Sequence, residues 1–462
     1  MKTRRERDAL GSVDVDADAY YGTDTQRGLD LFKVSGIKVS AELVHHYAMV
    51  KKAAAKANMS SGKLDSRRAR AIIKACDYVA QGTLDSQFPL DVFQSGAGTS
   101  TNMNVNEVIA NKAIEILGGR KGEYKIVHPN DHVNMSQSTN DTYPTAVNIT
   151  CYDLATRHLV PAMESLERSL RAKEREFSKT IKTGRTHLQD AVPMRLGDEF
   201  GAYAGAVYKC IDSLKASSDK LLEVPIGGTA VGTGINAGKA YTENVVRELG
   251  REFGARVRRD RSEFTAMSFR LEQLGLANAL DACAVALTKI ANDLRLLASG
   301  PRAGLNEIAL PAVMPGSSIM PGKVNPSVVE MLNMVCYEVM GKVHTMRNAV
   351  YGAQLELNVF TPVISYDLIS SIEILANAVR IFDAHCVRGI EANESAISKH
   401  LDMDLELATA LNQYIGYAKA AEIEKIALRE GKGIKQVCLE KGILDKKTLD
   451  RILDPRREFG NV

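Results

Sequence analysis

The chain has 462 residues, 45% of them hydrophobic and 25% charged; these are globular proportions at a length too great for one minimal core, so two or three domains are expected. Its 59 basic and 56 acidic residues leave a net charge of only +3, which gives no argument for a nucleic-acid partner or an anionic membrane. No apolar run of about 18 residues or more occurs, which excludes a uniformly apolar bilayer span.

At the start, the arginines between Met1 and Asp8 are interrupted by Glu6 and Asp8, and no apolar stretch follows. That pattern argues against a secretory or twin-arginine leader and weakens a transit-peptide reading. Cys76, Cys151, Cys210, Cys283, Cys336, Cys386 and Cys438 are scattered, with no C-x-x-C pair. They read as reduced core residues, and a cytoplasmic chain is expected.

Residues 1–140 are mixed in texture, rich in Asp, Asn, Gly and Ser, with helical patterns over Glu42–Asn58 and Arg67–Gln81. Residues 141–392 carry long amphipathic stretches, and residues 393–462 short charged helices; three domains with these bounds are expected. In Arg195–Glu223 apolar residues fall at Leu196, Phe200, Tyr203, Val207, Ile211, Leu214 and Leu221, in steps of three and four with one longer gap. Leu271–Ala298, Val328–Val350 and Ile364–Gly389 repeat the pattern, while alternating strand-like runs are almost absent. Helices of roughly 30 residues run about 45 Å and need partners along their whole length, so an all-α fold built on a helical bundle follows. Apolar residues on more than one stripe imply contacts on two sides, and therefore an oligomer.

Four polar, Gly-rich connections interrupt these patterns: Ser95–Asn104, His128–Asp141, Gly184–Asp190 and Pro315–Pro326. Taken singly, the first three are explained as well by turns and helix caps, because Ser, Thr, Asn and Gly serve the backbone there. Together they concentrate hydroxyls, amides, histidines and a lysine where helices begin. Free N–H groups at such places favour carboxylates, so a small dicarboxylate suits them.

Within the fourth connection, Gly316-Ser317-Ser318-Ile319-Met320-Pro321-Gly322-Lys323-Val324-Asn325 meets every specified position of G-S-S-x-M-P-x-K-x-N. It resembles the signature of the fumarase/aspartase superfamily. The resemblance extends over nearly the whole chain: Arg7-Asp8 to Tyr20-Tyr21-Gly22, Thr25-Gln26-Arg27, the first three connections, Gly228–Gly234 and Leu355–Val359. It implies a three-domain, mostly helical subunit in a homotetramer, with each active site drawing loops from three subunits; no cofactor is expected.

The family reaction is an anti β-elimination, in which a base takes a proton beside a carboxylate and a group leaves the next carbon. Charge growing on that carboxylate needs strong electrostatic support. The resemblance makes Ser317 the base; its hydroxyl is too weak an acid unless loop N–H groups and positive charge hold the oxyanion. Gly316, Gly322 and Lys323 fit that task, and the glycines make the loop a lid. Lys323 with Asn325 would hold a substrate carboxylate, and Ser318 lies within the same signature. By the same match Thr99, Ser138, Thr139 and Asn140 would bind the second carboxylate and the leaving group, while Thr186 and His187 line the other side. Glu330 would orient His187. His128, Asn130 and Asp131 match a non-catalytic dicarboxylate site of fumarases and are set aside.

Within the superfamily, Ala97, Thr139, Leu188 with Met194, and Gln354-Leu355-Glu356-Leu357-Asn358 resemble the aspartate ammonia-lyase branch. A missing hydroxyl at Ala97 and an added methyl at Thr139 alter the donors available to a leaving group. Elimination of ammonia from L-aspartate to give fumarate is therefore the first expectation. The His187–Glu330 pair and Val359-Phe360 favour the alternative, a class II fumarase. A non-catalytic structural protein, as the lens crystallins are, is the remote third.

Three further patterns resolve to structure. Gly228–Gly234 follows a helix, not a strand, so a dinucleotide loop is not expected. Gly433–Leu453 outlines two short helices around Lys441-Gly442, but Glu440, Asp445 and Asp450 break any basic recognition face. His128 and His132 have H-x-x-x-H spacing, yet Pro129 and Asn130 predict a turn, and no transition-metal site is expected.

Overall fold

The 3.6-residue spacing of apolar side chains closes into helices close to the expected bounds. In the computed structural model, which describes residues 2–454, the long patterns form Leu196–Lys220, Leu271–Leu297, Ser327–Tyr351 and Thr361–His385. Strand is confined, among the described residues, to short two-stranded pairings. Two helices, starting at Leu271 and Thr361, are long and apolar enough to resemble membrane spans, but 50% and 67% of their most apolar windows are buried within the chain. All seven cysteines are buried, and none is in a disulfide among the described residues.

The chain divides into two compact units, each assembled from three stretches. The first comprises Met1–Pro161, Asp212–Ala284 and Tyr337–Ala376; the second comprises Ala162–Ile211, Val285–Cys336 and Asn377–Val462.

In the first unit the Ala41–Ser60 helix is the hub, packing on Ser66–Ala80, Thr139–Leu154 and Lys239–Phe253. Its run of small residues, Ala53, Ala54, Ala55 and Ala57, is buried and lets neighbouring helices approach closely. Around it Ile72, Val79, Val147, Val245 and Leu249 are fully buried. The N-terminus, read from the sequence only as a charged stretch, forms the hairpin Thr3–Asp8 with Gly11–Asp16. Arg27 clamps it through two hydrogen bonds to Asp8 at 2.7 and 2.9 Å. Buried Glu107 accepts from the N–H groups of Gly22, Asp24 and Thr25 and from the Thr25 hydroxyl, tying the segment after the hairpin to the Thr99–Ile116 helix.

In the second unit, Ile181–Thr186 and Gln189–Arg195 form an antiparallel hairpin with an irregularity at Thr183/Gly184. The third polar connection is therefore a hairpin and not a linker between helices. Lys182 and Glu307, both essentially inaccessible, pair at 3.0 Å. Arg185 and His400 join Glu307 at 2.7 and 3.0 Å, and Glu199 joins Lys182 at 2.9 Å. Burial would push the Glu307 carboxyl up, but the Arg185 and Lys182 cations hold it below its ordinary value. The charge cluster anchors the hairpin base and leaves its tip projecting. Near the C-terminus, Ile434–Glu440 and Lys446–Ile452 are the two expected short helices. They close a small core of Leu411, Ile423, Ile434, Val437, Cys438 and Leu449.

Candidate active site

The first unit holds Thr99, Ser138, Thr139 and Asn140 at the starts of two helices. Gly98 adopts φ +84, and a Cβ there would lie 2.4 Å from the Tyr143 ring, so only glycine admits this approach. The helix Thr99–Ile116 begins directly after it, with Thr99 exposed and its hydroxyl donating to the Gly96 carbonyl at 3.3 Å. Ser138 caps the Thr139–Leu154 helix, its hydroxyl accepting from Asn140 N–H at 3.3 Å while its own N–H donates to Asp141 at 3.0 Å. For Ser138 the capping reading therefore holds in the free chain. The Asn140 amide donates to the Ala230 carbonyl at 2.8 Å, so the Gly228–Gly234 turn supports this helix start. Burial pushes the Asp141 carboxyl up to about 6, opposed by N–H bonds from Ser138, Gly227 and Thr229.

Beneath these residues lies a network that the sequence reading missed. Lys51, fully buried, donates to Asn102 Oδ1 at 2.7 Å, Asn134 Oδ1 at 2.9 Å and Gln137 Oε1 at 3.1 Å. The Tyr47 hydroxyl also donates to Asn102 Oδ1, and Asn102 Nδ2 donates to Thr139 Oγ1 at 2.9 Å. A signal was present: Leu43, Tyr47, Lys51 and Ala55 recur every fourth residue, placing the lysine on the buried stripe of its helix.

The second unit carries the remaining predicted residues, all but Glu330 on a hairpin tip and one loop. Thr186 and His187 sit at the hairpin tip, where His187 and Leu188 both take left-handed backbone, φ 57 and φ 60. This is the twist a two-residue hairpin turn demands, normally met by Asn-Gly, and each non-glycine residue held there costs about 1–2 kcal/mol. Strain of this kind gathers at functional tips.

The signature loop is built around Gly316, where a Cβ would lie 1.5 Å from the Lys323 carbonyl oxygen. The turn is closed from the other side by Asn325, whose amide donates to the Gly316 carbonyl at 2.6 Å. Within it, Ser317 Oγ accepts from the N–H groups of Met320 at 2.9 Å and Ile319 at 3.2 Å. Two backbone donors on one hydroxyl oxygen are what stabilises negative charge there. Ser318 and Lys323 are exposed on the same loop, and Ile319 is 82% exposed.

Glu330 lies in the first turn of Ser327–Tyr351, 3.9 Å from the Arg295 guanidinium. His187 and Glu330 form no ion pair within one chain, because the histidine rides a projecting tip. Of the set-aside residues, Asn130 and Asp131 lie in one π-helical turn, Pro129–Val133, capped by His128, a helical turn where an open one was expected. His128 Nδ1 accepts from the N–H groups of Asn130 and Asp131, and His132 Nδ1 accepts from His128 N–H at 2.7 Å. Among the described residues no group of three or more His, Cys, Asp or Glu side chains is arranged to hold a metal.

Residues 11–341 match the family model described as Lyase, and residues 407–457 the one described as Fumarase C C-terminus. The chain is 48% identical over 459 residues to the class II fumarate hydratase of Thermus thermophilus, covering 99% of this chain and 98% of that protein. It is 44% identical over 452 residues to the aspartate ammonia-lyase of Bacillus subtilis, covering 98% and 95%. The solved fumarate lyase:delta crystallin of Brucella melitensis superposes with a TM-score of 0.96 at 47% identity, covering 99% of each chain.

These findings overturn the expectation of ammonia elimination from L-aspartate, because class II fumarate hydratases of several organisms stand above the aspartate ammonia-lyases in similarity. The positions that suggested it answer to backbone and packing. Ala97 is buried at φ 60 with its N–H bound to the Val359 carbonyl at 2.8 Å. Thr139 is 8% exposed and engaged by Asn102. Leu188 and Leu355 are exposed turn residues at positive φ.

Proposed function

This chain belongs to the fumarase/aspartase superfamily of lyases, and from that premise we propose that it is a class II fumarate hydratase interconverting fumarate and L-malate. The observation that carries the reading is Ser317 Oγ, held by two backbone N–H groups in the loop that presents Lys323 and Asn325. The similarity to named fumarate hydratases along the whole chain supports the choice of leaving group.

In the malate-to-fumarate direction, the Ser317 alkoxide takes the proton from the carbon beside one carboxylate. The electron pair moves into that carboxylate, which Lys323 and Asn325 stabilise. As the carbon–oxygen bond on the next carbon breaks, His187 in its protonated form gives the departing hydroxide a proton, and water leaves. Hydration runs the same steps backwards, with neutral His187 taking a proton from water and Ser317 returning one to carbon. Thr99, Ser138, Thr139 and Asn140 hold the second carboxylate and the hydroxyl, and Thr186 lies beside His187.

The site is proposed to form in a homotetramer, from the Thr99–Asn140 residues of one subunit, the Thr186–His187 tip of a second and the Ser317–Asn325 loop of a third. Glu330 would orient His187 across a subunit boundary. Apolar side chains left more than half exposed on long helices, Tyr208, Val285 and Met334, support this.

The test supplies the purified protein with fumarate and, separately, with L-aspartate. Fumarate is expected to be consumed with formation of L-malate, and no ammonia is expected from L-aspartate. Ser317→Ala is expected to lower kcat by about 10²–10⁴-fold with the tetramer intact. Ammonia release without hydration overturns the proposal.

A further inference from the structure

Lys51 is an expensive residue to keep where it stands. It is fully buried, and among the described residues its ammonium forms no ion pair with a carboxylate; it donates to the amide oxygens of Asn102, Asn134 and Gln137 and lies 5.1 Å from the centre of the Tyr47 ring. An unpaired buried ammonium is costly, and an apolar side chain of equal length would usually pack there at least as well. Its use lies in the direction it imposes on its neighbours.

Burial lowers the Lys51 pKa to about 7, but three amide oxygens surround Nζ, and only the ammonium, with three donors and no acceptor, serves all three. The Asn102 atom facing it is the amide oxygen, an orientation that the Tyr47 hydroxyl reinforces by donating to the same oxygen at 2.7 Å. Asn102 Nδ2 is thereby turned outward, donating to Thr139 Oγ1 at 2.9 Å and more weakly to Asn134 Oδ1 at 3.4 Å. With its oxygen already accepting, the Thr139 hydroxyl is left with its proton to give away. That polarity suits a ligand that brings only acceptors, such as a carboxylate.

We propose that Lys51 is a positioning residue for carboxylate binding: through Asn102 it fixes the Thr139 hydroxyl as a donor toward the bound dicarboxylate. The inference rests on the dicarboxylate reading of the site but not on which group leaves. It assigns Lys51, Tyr47 and Asn102 one task, the orientation of the proton that Thr139 gives to the ligand.

The experiment is a double-mutant cycle on the intact oligomer, reading the calorimetric affinity for succinate, an unreactive four-carbon diacid. Lys51→Met and Thr139→Val are each expected to weaken binding about tenfold, and the double variant to be within about twofold of Thr139→Val alone. Succinate failing to bind the unmodified protein, Lys51→Met leaving its affinity unchanged, or Lys51→Met costing the same factor in the Thr139→Val background overturns the proposal. A merely structural lysine predicts the last of these results.

Asn102→Asp provides a second arm should Lys51→Met fail to fold. It keeps a partner for Lys51 but presents an acceptor to Thr139, turning that hydroxyl inward. Its effect on succinate affinity is expected to shrink in the Thr139→Val background; persistence of the full effect overturns the proposal. Fumarate turnover by the unmodified protein is measured alongside. A coupled cycle without hydration refutes the hydratase reading alone, and additive effects with hydration intact refute only the role of Lys51.

Discussion

Gly316→Ala puts the signature loop under a defined stress. The added methyl would stand 1.5 Å from the Lys323 carbonyl oxygen, 2.4 Å from its carbon and 2.6 Å from Val324 Cα. Non-bonded heavy atoms settle at about 3.5 Å, so the two sides of the loop must separate by about 2 Å. Both are backbone, so no side-chain rotation relieves the clash. The separation breaks the Asn325–Gly316 hydrogen bond of 2.6 Å and carries Lys323 away from Ser317. A displacement of about 1 Å at a reacting group costs about 10²-fold, so kcat is expected to fall by at least about 10²-fold. Stability should change by less than about 1 kcal/mol, since the loop is exposed and can open without disturbing a core. Gly322→Ala is the control: at φ +80 with nothing within 4 Å of its Cβ, it bears only the left-handed penalty of about 1 kcal/mol, roughly fivefold in rate. The assay follows the ultraviolet absorbance of fumarate, with thermal unfolding of each variant in parallel. A folded Gly316→Ala variant turning over within about threefold of the unmodified protein would refute the claim that this loop geometry is catalytic.

Three other outcomes follow from the geometry. Burial raises Asp91, but N–H bonds from Phe93, Gly36 and Ser35 outweigh it and hold the carboxyl below 3.8. Its stabilisation is present above the unfolded value and disappears as pH falls through the lower folded one; Asp91→Asn should cost about 1–3 kcal/mol at neutral pH in urea melts, a difference that vanishes in acid. Glu307→Ala leaves Lys182 and Arg185 facing a cavity and should cost about 3–5 kcal/mol, read from the denaturation midpoint; a loss under about 1 kcal/mol would show the cluster to be dispensable. Leu188→Gly relieves a left-handed leucine that is 71% exposed and should raise stability by about 1 kcal/mol; a lower melting temperature would mean that the side chain is buried in the assembled protein.

The helical architecture was legible because its periodicity is local. Leu196, Phe200, Tyr203 and Val207 lie along one buried stripe, and the observed helices differ from the expected bounds by only a few residues at their ends. The signature loop was legible as well, because Gly316, Ser317, Lys323 and Asn325 are close in sequence and their hydrogen bonds close within ten residues. Choosing the leaving group failed because single residues were read as chemistry. Ala97 and Thr139 differ from the fumarase pattern at positions governed by a left-handed turn and a buried amide contact.

By itself, then, the order of residues determined which segments are helical, where the polar connections fall and which loop carries the Gly316–Asn325 signature. Tertiary structure alone decided that the His187 connection is a projecting hairpin and that Lys51 lies beneath Thr139, 88 positions along the chain, with Asn102 between them. The physical reason is range. A helix period or a tight turn is written in neighbours a few residues apart, whereas the direction of a buried hydrogen bond depends on groups that only folding brings together.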